Sequence, residues 1–278
     1  MEFNIRKGFS AFVLIGGMLC TLCACQYAEN DKKTADTALP ELKIGDSRIR
    51  PFFYKDENGD YTGIDVEIAQ EACKRAGYQP VFVEIPSGEK EQYLKNGKID
   101  CLWAAYANKE LADDGFQWTE AYRESNIGIL VGENSPDDRL ENLKSNGGIA
   151  VVAGSKAEEM LLQRIHKSTG EKQNVYSCGS FEQAETAFIK GYAGALVGDE
   201  VVLRQIMHEY PDSYRMLDDK LKKIQLSAAF GKDTDPVCWQ KIDKAVREMK
   251  QEGTVSEIMK KCDPDKAGTG EVDSGEQE

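Results

Sequence analysis

One alternation of short apolar runs and helix-period runs occurs twice along this chain, and it limits the fold more than any other feature. In the first copy Leu42-Lys43-Ile44-Gly45 reads as a strand, and Phe52 to Tyr61 reads as a hairpin around Asn58-Gly59, a pair that favours tight β-turns. Asp65 then reads as the cap of a helix whose residues Val66, Ile68, Ala69, Ala72, Cys73 and Ala76 recur at three- and four-residue steps and stop at Gly77. A strand from Pro80 to Ile85, a helix from Gly88 to Lys95 and a strand from Ile99 to Ala104 complete it. The second copy runs strand Ile149 to Ala153, helix Ser155 to His166, strand Asn174 to Tyr176, helix Phe181 to Lys190 and strand Ala193 to Val197. Strands alternating with helices require a parallel sheet with helices on its faces.

Two such units imply two lobes. Lys95 to Ala104 and Ile189 to Gly198 correspond, each with a helix stopped at Gly and an apolar strand a few residues on. Two further apolar extended runs, Asn126 to Val131 and Gln225 to Phe230, each cross once between the lobes, which returns the helix Pro236 to Lys250 to the first lobe. The expected division is residues 41–127 plus 228–262 for lobe 1 and 128–227 for lobe 2. A protein so built holds its ligand in the cleft facing the carboxyl ends of its strands, and closes on it by hinge motion.

Charge and cysteine content narrow the chemistry. The net charge of −13 speaks against nucleic acid, where binding rests on Lys and Arg against phosphates. Beyond Cys25 the chain has five cysteines, Cys73, Cys101, Cys178, Cys238 and Cys262, with no CxxC pair among them, and the whole sequence has only two histidines, His166 and His208. We therefore expect no metal and no cofactor. Cys73 and Cys101 fall in apolar segments and read as small buried hydrophobes, while Cys238 and Cys262 flank the C-terminal helix and are open to pairing as a disulfide.

The N-terminus reads as an address. Arg6 and Lys7 precede an apolar stretch from Phe9 to Cys20, too short to span a bilayer comfortably, and Leu22-Cys23-Ala24-Cys25 closes it. This run resembles the lipobox of bacterial lipoproteins, which implies a signal peptide over 1–24, lipidation at Cys25 and an extracytoplasmic protein anchored to the outer face of the cell membrane. Residues 25–40 read as a flexible tether and 263–278 as a disordered acidic tail.

Five segments in order resemble the extracellular solute-binding proteins, family 3, which deliver amino acids to ABC importers. They are Pro51 to Gly59 with Gly63 to Ala69; Gly97-Lys98-Ile99-Asp100; Ala153-Gly154-Ser155; Ala195-Leu196-Val197-Gly198-Asp199; and Met249 to Thr254. The resemblance implies a two-lobed type II periplasmic-binding-protein fold, each lobe a mostly parallel sheet flanked by helices and joined by two hinge crossovers. It implies a monomer that captures an amino acid or related amine and hands it to a membrane permease.

Its ligand chemistry carries over residue by residue. Asp199 stands where the family binds the α-ammonium, with a plain helix cap as the other reading. Ser155 and Lys156 open the helix whose amides would meet the α-carboxylate. Asp46 ends the first strand and would meet a polar or cationic tail; Ile49, Phe52, Trp103 and Tyr106 are the candidate walls, Trp103 also reading as core. The departure follows the strand Asp100 to Ala104. Ala105 and Ala107 take hydroxyl positions beside Ala104, and Leu111 or Ala112 falls where the carboxylate-binding Arg is expected. Lys156, Lys109 and Arg50 are the candidate substitutes, and with Asp199 kept the site leans toward a cationic or zwitterionic amine.

Two other functions fit the same scaffold. A ligand sensor for a membrane receptor would use the same clamshell, and an exported dehydratase-like enzyme would draw on carboxylates such as Glu110, Asp113, Asp114 and Glu200. No nucleophile or metal constellation accompanies those carboxylates, so the expectation is a binding protein without enzymatic activity.

Overall fold

The computed structural model describes residues 38–106, 115–143, 147–167 and 174–261, and from Leu39 onward these belong to one unit. The leader, Cys25 and the tether as far as residue 37, with Lys109, Leu111, Ala112, Cys262 and the acidic tail, lie outside the described residues. In chain order the elements are β1 (Glu41–Asp46), β2 (Tyr54–Lys55), β3 (Tyr61–Thr62), α1 (Ile64–Ala76), β4 (Gln79–Glu84), α2 (Lys90–Lys95), β5 (Cys101–Tyr106), β6 (Phe116–Trp118) and β7 (Arg123–Gly132). They continue as β8 (Ile149–Val152), α3 (Lys156–Lys167), β9 (Val175–Cys178), α4 (Phe181–Ile189), β10 (Ala195–Asp199), α5 (Glu200–Glu209), β11 (Tyr214–Met216), β12 (Lys222–Gly231), α6 (Pro236–Glu252) and α7 (Thr254–Lys261).

The main sheet runs β4-β1-β5-β12-β7-β10-β8-β9. β1 is parallel to β4 and β5, and β8 is parallel to β9 and β10, so each half places its first strand between the other two. β12 is antiparallel to β5, β7 is antiparallel to β10, and the two long strands pair with each other from Lys222↔Ile127 to Leu226↔Arg123. These are the two crossovers expected from the apolar runs, and they lie side by side as the seam between the halves.

Packing follows from the periodicities. α1 buries Ile64, Val66, Ile68, Ala69, Ala72 and Cys73, and α6 brings Ile242, Ala245, Val246 and Met249 from the C-terminal part of the chain into the same core. The free thiols of Cys73, Cys101 and Cys238 are buried in this region, as small apolar groups would be. Burial pushes the Cys73 thiol up to about 12.

The strands β5 and β10 begin two residues later than the sequence pattern suggests, for the same reason in both halves. Gly97 and Gly191 have left-handed backbone, φ 65° and 74°, and the helices before them close with paired bonds, Lys98 N to Tyr93 O with Gly97 N to Leu94 O, and Tyr192 N to Ala187 O with Gly191 N to Phe188 O. This helix exit consumes the residues just after the glycine before extended backbone resumes.

The start of α1 also differs from expectation. Gly63, φ 118°, is its N-cap, and Asp65 lies inside the first turn with its side chain buried. Ile64 N and Asp65 N donate to the carbonyls of Pro51 and Phe52 at 3.0 Å each, which ties the loop carrying Phe52 to the helix N-terminus. A Cβ on Gly63 would lie 2.3 Å from Phe52 O. Gly63→Ala therefore combines a left-handed backbone with a backbone clash, and should lower unfolding stability by about 2 kcal/mol or more, read as a reduced urea midpoint.

Candidate functional site

The halves enclose a cleft of about 1300 Å³ lined from both sides by residues of the loop ends and of the seam. Its mouth is drawn together by an Arg48 to Glu182 ion pair of 3.0 Å and by Gly154, whose Cα-borne hydrogen faces Gly88: a Cβ there would sit 2.8 Å from Gly88 Cα. Gly154 is left-handed, φ 68°, so glycine serves both the turn into α3 and the close approach of the halves.

Three buried carboxylates form the acidic wall. Asp46, at the carboxyl end of β1, accepts from Lys90 Nζ at 2.5 Å and Ser47 N at 2.7 Å through one oxygen, while Oδ2 is buried without a partner. Asp65 accepts from the Tyr122 hydroxyl at 2.9 Å, and its Oδ2 also lacks a hydrogen bond. Asp199 caps α5 through Val201 N at 2.9 Å and accepts from Ser125 Oγ at 2.8 Å and Arg123 Nη1 at 3.2 Å. Both readings of Asp199, cap and cleft carboxylate, are thus realised in one side chain.

Arg123 is the centre of this wall. Its guanidinium lies 4.0 Å over the Phe52 ring, 3.2 Å from Asp199 and 4.0 Å from Asp65 Oδ2, with its side chain 2% exposed. Burial pulls its pKa down, but Asp199 and Asp65 outweigh that and raise it, so the charge is fixed. For Asp65 burial is the larger influence: it pushes the carboxyl up to about 7, with Arg123 opposing and Asp46 adding to the rise.

The remaining expected residues fall into separate groups. Ile49, Phe52, Ser155 and Lys156 line the cleft with Asp46 and Asp199. Ser155 Oγ accepts from Glu158 N and donates to Val152 O, capping α3, and Lys156 Nζ is held by both oxygens of Glu159 at 2.8 Å. Trp103 is a correction: it does not line the cleft but is 1% exposed in the core, stacked on Tyr122 at 5.8 Å, because on β5 its phase points into the sheet–helix layer. Ala104, Ala105 and Tyr106 are placed on β5 by pairing with β12, and their side chains lie outside the described residues. Arg50 stacks over Tyr54 at 4.0 Å and is not among the cleft-lining residues. Arg123, Asp65 and Lys90 are cleft residues that the sequence pattern did not single out. Glu200, one candidate acid, is engaged by Lys220, Arg204 and Asn126. Burial alone would raise its carboxyl, but those bonds prevail and hold it at about 2. Among the described residues no group of three or more His, Cys, Asp or Glu is arranged to hold a metal ion.

A seam of two paired crossovers between parallel half-sheets, with a polar cleft at the strand ends, defines a two-lobed binding protein. Residues 42–262 match the family model of bacterial extracellular solute-binding proteins, family 3, and the chain belongs to that family. It is 26% identical over 238 residues to the histidine-binding periplasmic protein of Escherichia coli (strain K12), covering 82% of this chain and 89% of that protein. It is 23% identical over 251 residues to the probable amino-acid-binding protein YxeM of Bacillus subtilis (strain 168), covering 90% and 92%. Among solved structures, an ancestral arginine-binding protein bound to glutamine is similar at 25% identity with a TM-score of 0.70, covering 80% of this chain and 97% of that one.

The two shifted acids act on stability with opposite signs. Asp65, at about 7 in the fold against 3.8 when free, holds a proton between those values that the unfolded chain releases, so its contribution falls as pH rises from about 4 to 7. Glu200, at about 2 against 4.5, contributes fully above 4.5 and loses that contribution as pH falls toward 2. Relative to the wild type, Asp65→Asn should therefore gain stability steadily between pH 4.5 and 7.5 in urea titrations, whereas Glu200→Gln should be most destabilised near neutrality and approach the wild type near pH 3. A parallel course of Asp65→Asn and wild type across this range would contradict the assignment.

Proposed function

We propose that this protein is an extracytoplasmic amino-acid-binding component of an ABC importer, and that its ligand is a basic or zwitterionic amino acid or a related amine held in the cleft between residues 41–127 plus 228–262 and residues 128–227. The observation that carries the ligand class is the acidic wall: Asp46, Asp65 and Asp199 line one cleft, and among the described residues Asp46 and Asp65 each keep one buried oxygen without a hydrogen-bond donor. A buried acceptor left unpaired costs about 1–3 kcal/mol, and a ligand ammonium or guanidinium removes that cost. Asp199 would take the α-ammonium, Asp46 the distal cation, and Phe52 and Ile49 the apolar part of the ligand. Ser155 and Lys156 would border it from the second lobe. The binding-protein names of the relatives support the same reading.

Residues 1–24 would be the signal peptide, Cys25 the lipidated first residue and residues 25–40 the tether that holds a monomer beside the permease. Cys25→Ser should move the protein from the detergent phase to the aqueous phase in Triton X-114 partition of expressing bacteria; an unchanged partition would remove the lipid anchor from this reading.

Ligand class is tested by thermal melting of the purified protein with L-arginine, L-lysine, L-histidine, L-glutamine, L-glutamate and L-aspartate. A ligand at about 100 times Kd adds about 2.7 kcal/mol, which for a body of this size raises Tm by about 5 °C or more. Basic or neutral polar members should give that rise and the acidic ones none. If no member shifts Tm, amino-acid binding is the wrong reading; if only L-glutamate and L-aspartate do, the acidic wall is not the recognition surface.

A further inference from the structure

We propose that Arg123, on the crossover strand β7, grips the carboxylate of the bound solute, in place of the arginine that the sequence lacks at Leu111 and Ala112. This deepens the amino-acid reading and rests on it. A guanidinium has five N–H donors in a planar fork suited to a carboxylate. Among the described residues Arg123 has one hydrogen bond, Nη1 to Asp199 Oδ2; Nη2 stands 4.0 Å from Asp65 Oδ2, and Nε is buried with no acceptor. The residue nevertheless borders the cleft. A fixed cation so buried with most of its donors unspent is poised for an acceptor that arrives from the cleft.

Its surroundings set the aim of the fork. Phe52 covers one face at 4.0 Å, and Asp199 and Asp65 hold it at two corners, so the guanidinium cannot rotate freely. Asp199 lies beside it, its Oδ2 engaged among the described residues by Nη1 alone. Anion and cation therefore stand next to each other on one wall, in the order that the head of a zwitterion presents. Lys156, the other candidate for the carboxylate, has its ammonium chelated by Glu159.

The test compares amino acids with the same molecules lacking the carboxylate: L-arginine with agmatine, L-lysine with cadaverine, and L-histidine with histamine. Titration calorimetry on the full folded protein gives Kd for each member of each pair. The wild type should bind the amino acid at least about 30-fold more tightly than its amine, the order lost when one partner of a buried charge pair is removed. Arg123→Gln should weaken the amino acid itself and lower the ratio of amino-acid to amine affinity by at least about 30-fold, and Arg123→Lys should recover part of that ratio. Equal losses for both members, or a gain in amine affinity with the amino acid unchanged, would overturn the assignment. If Arg123→Gln does not fold, the wild-type ratio and the Arg123→Lys ratio decide it: equal affinity for acid and amine in the wild type overturns it outright. If the wild type takes no member of any pair, the amino-acid reading falls and this assignment with it; if it binds amino acids but Arg123→Gln does not discriminate, only the assignment falls.

Discussion

A single buried cation holds the cleft wall together. Arg123 is carried on the strand that passes from one half of the molecule to the other, and its guanidinium meets Asp65 from α1 on one side and Asp199 from the start of α5 on the other. Two buried carboxylates facing one cleft would repel each other and lose their hydration, a combination that proteins avoid unless charges are paired. Leaving such a charge unpaired costs about 3–5 kcal/mol. The arginine therefore explains how α1, β7 and α5 can bring their polar ends to one place.

The same arrangement shows why the seam is built from long strands. β7 and β12 pair only over Arg123–Ile127 and Lys222–Leu226; beyond that, β7 continues along β10 and β12 along β5. Each crossover is thus paired with its own half-sheet at one end and with the other crossover at the opposite end. Arg123 and Ser125, both buried and both bonded to Asp199, stand on that short stretch. The stretch where the two crossovers pair thus also carries part of the cleft wall.

Much of the architecture was legible because its periodicities are local. Helices α3, α4 and α6 and strand β8 fall where apolar spacing and glycine stops put them; Phe52, Ser155 and Asp199 of the family segments, and Asp46 at the end of the first strand, line the cleft. What escaped has a shared physical cause. Asp65 looks like a helix cap because Asp precedes an apolar run, yet Gly63 performs that task and frees the carboxylate to turn inward. Trp103 reads both as core and as a cleft aromatic, and it is the core reading that the structure shows. Arg123 was hidden in a polar stretch, Arg123-Glu124-Ser125-Asn126, although its phase was informative: Arg123, Ser125 and Ile127 alternate onto the buried face of β7. An arginine in step with the core side of a strand is the signal that was available, and what it contacts depends on elements 58 and 76 residues away, which no local pattern contains.

The charges of the cleft can then be weighed against its ligand. Lys90 balances Asp46, Arg123 balances Asp199, and Arg48 and Lys156 are matched by Glu182 and Glu159. Of the three buried carboxylates of the wall, Asp65 has the longest ion pair, 4.0 Å to Arg123, and burial drives it toward holding a proton near neutrality. In the proposed complex the head of a zwitterion adds no net charge, since Arg123 and Asp199 meet its two ends. A positive tail near Asp46 and Asp65 would supply the charge that the proton supplies in its absence. A negative tail would add a second uncompensated anion to the same wall, against both desolvation and repulsion. The acidic wall and the partly engaged Arg123 fork thus favour one class of solute together: a carboxylate at one end and a cation at the other.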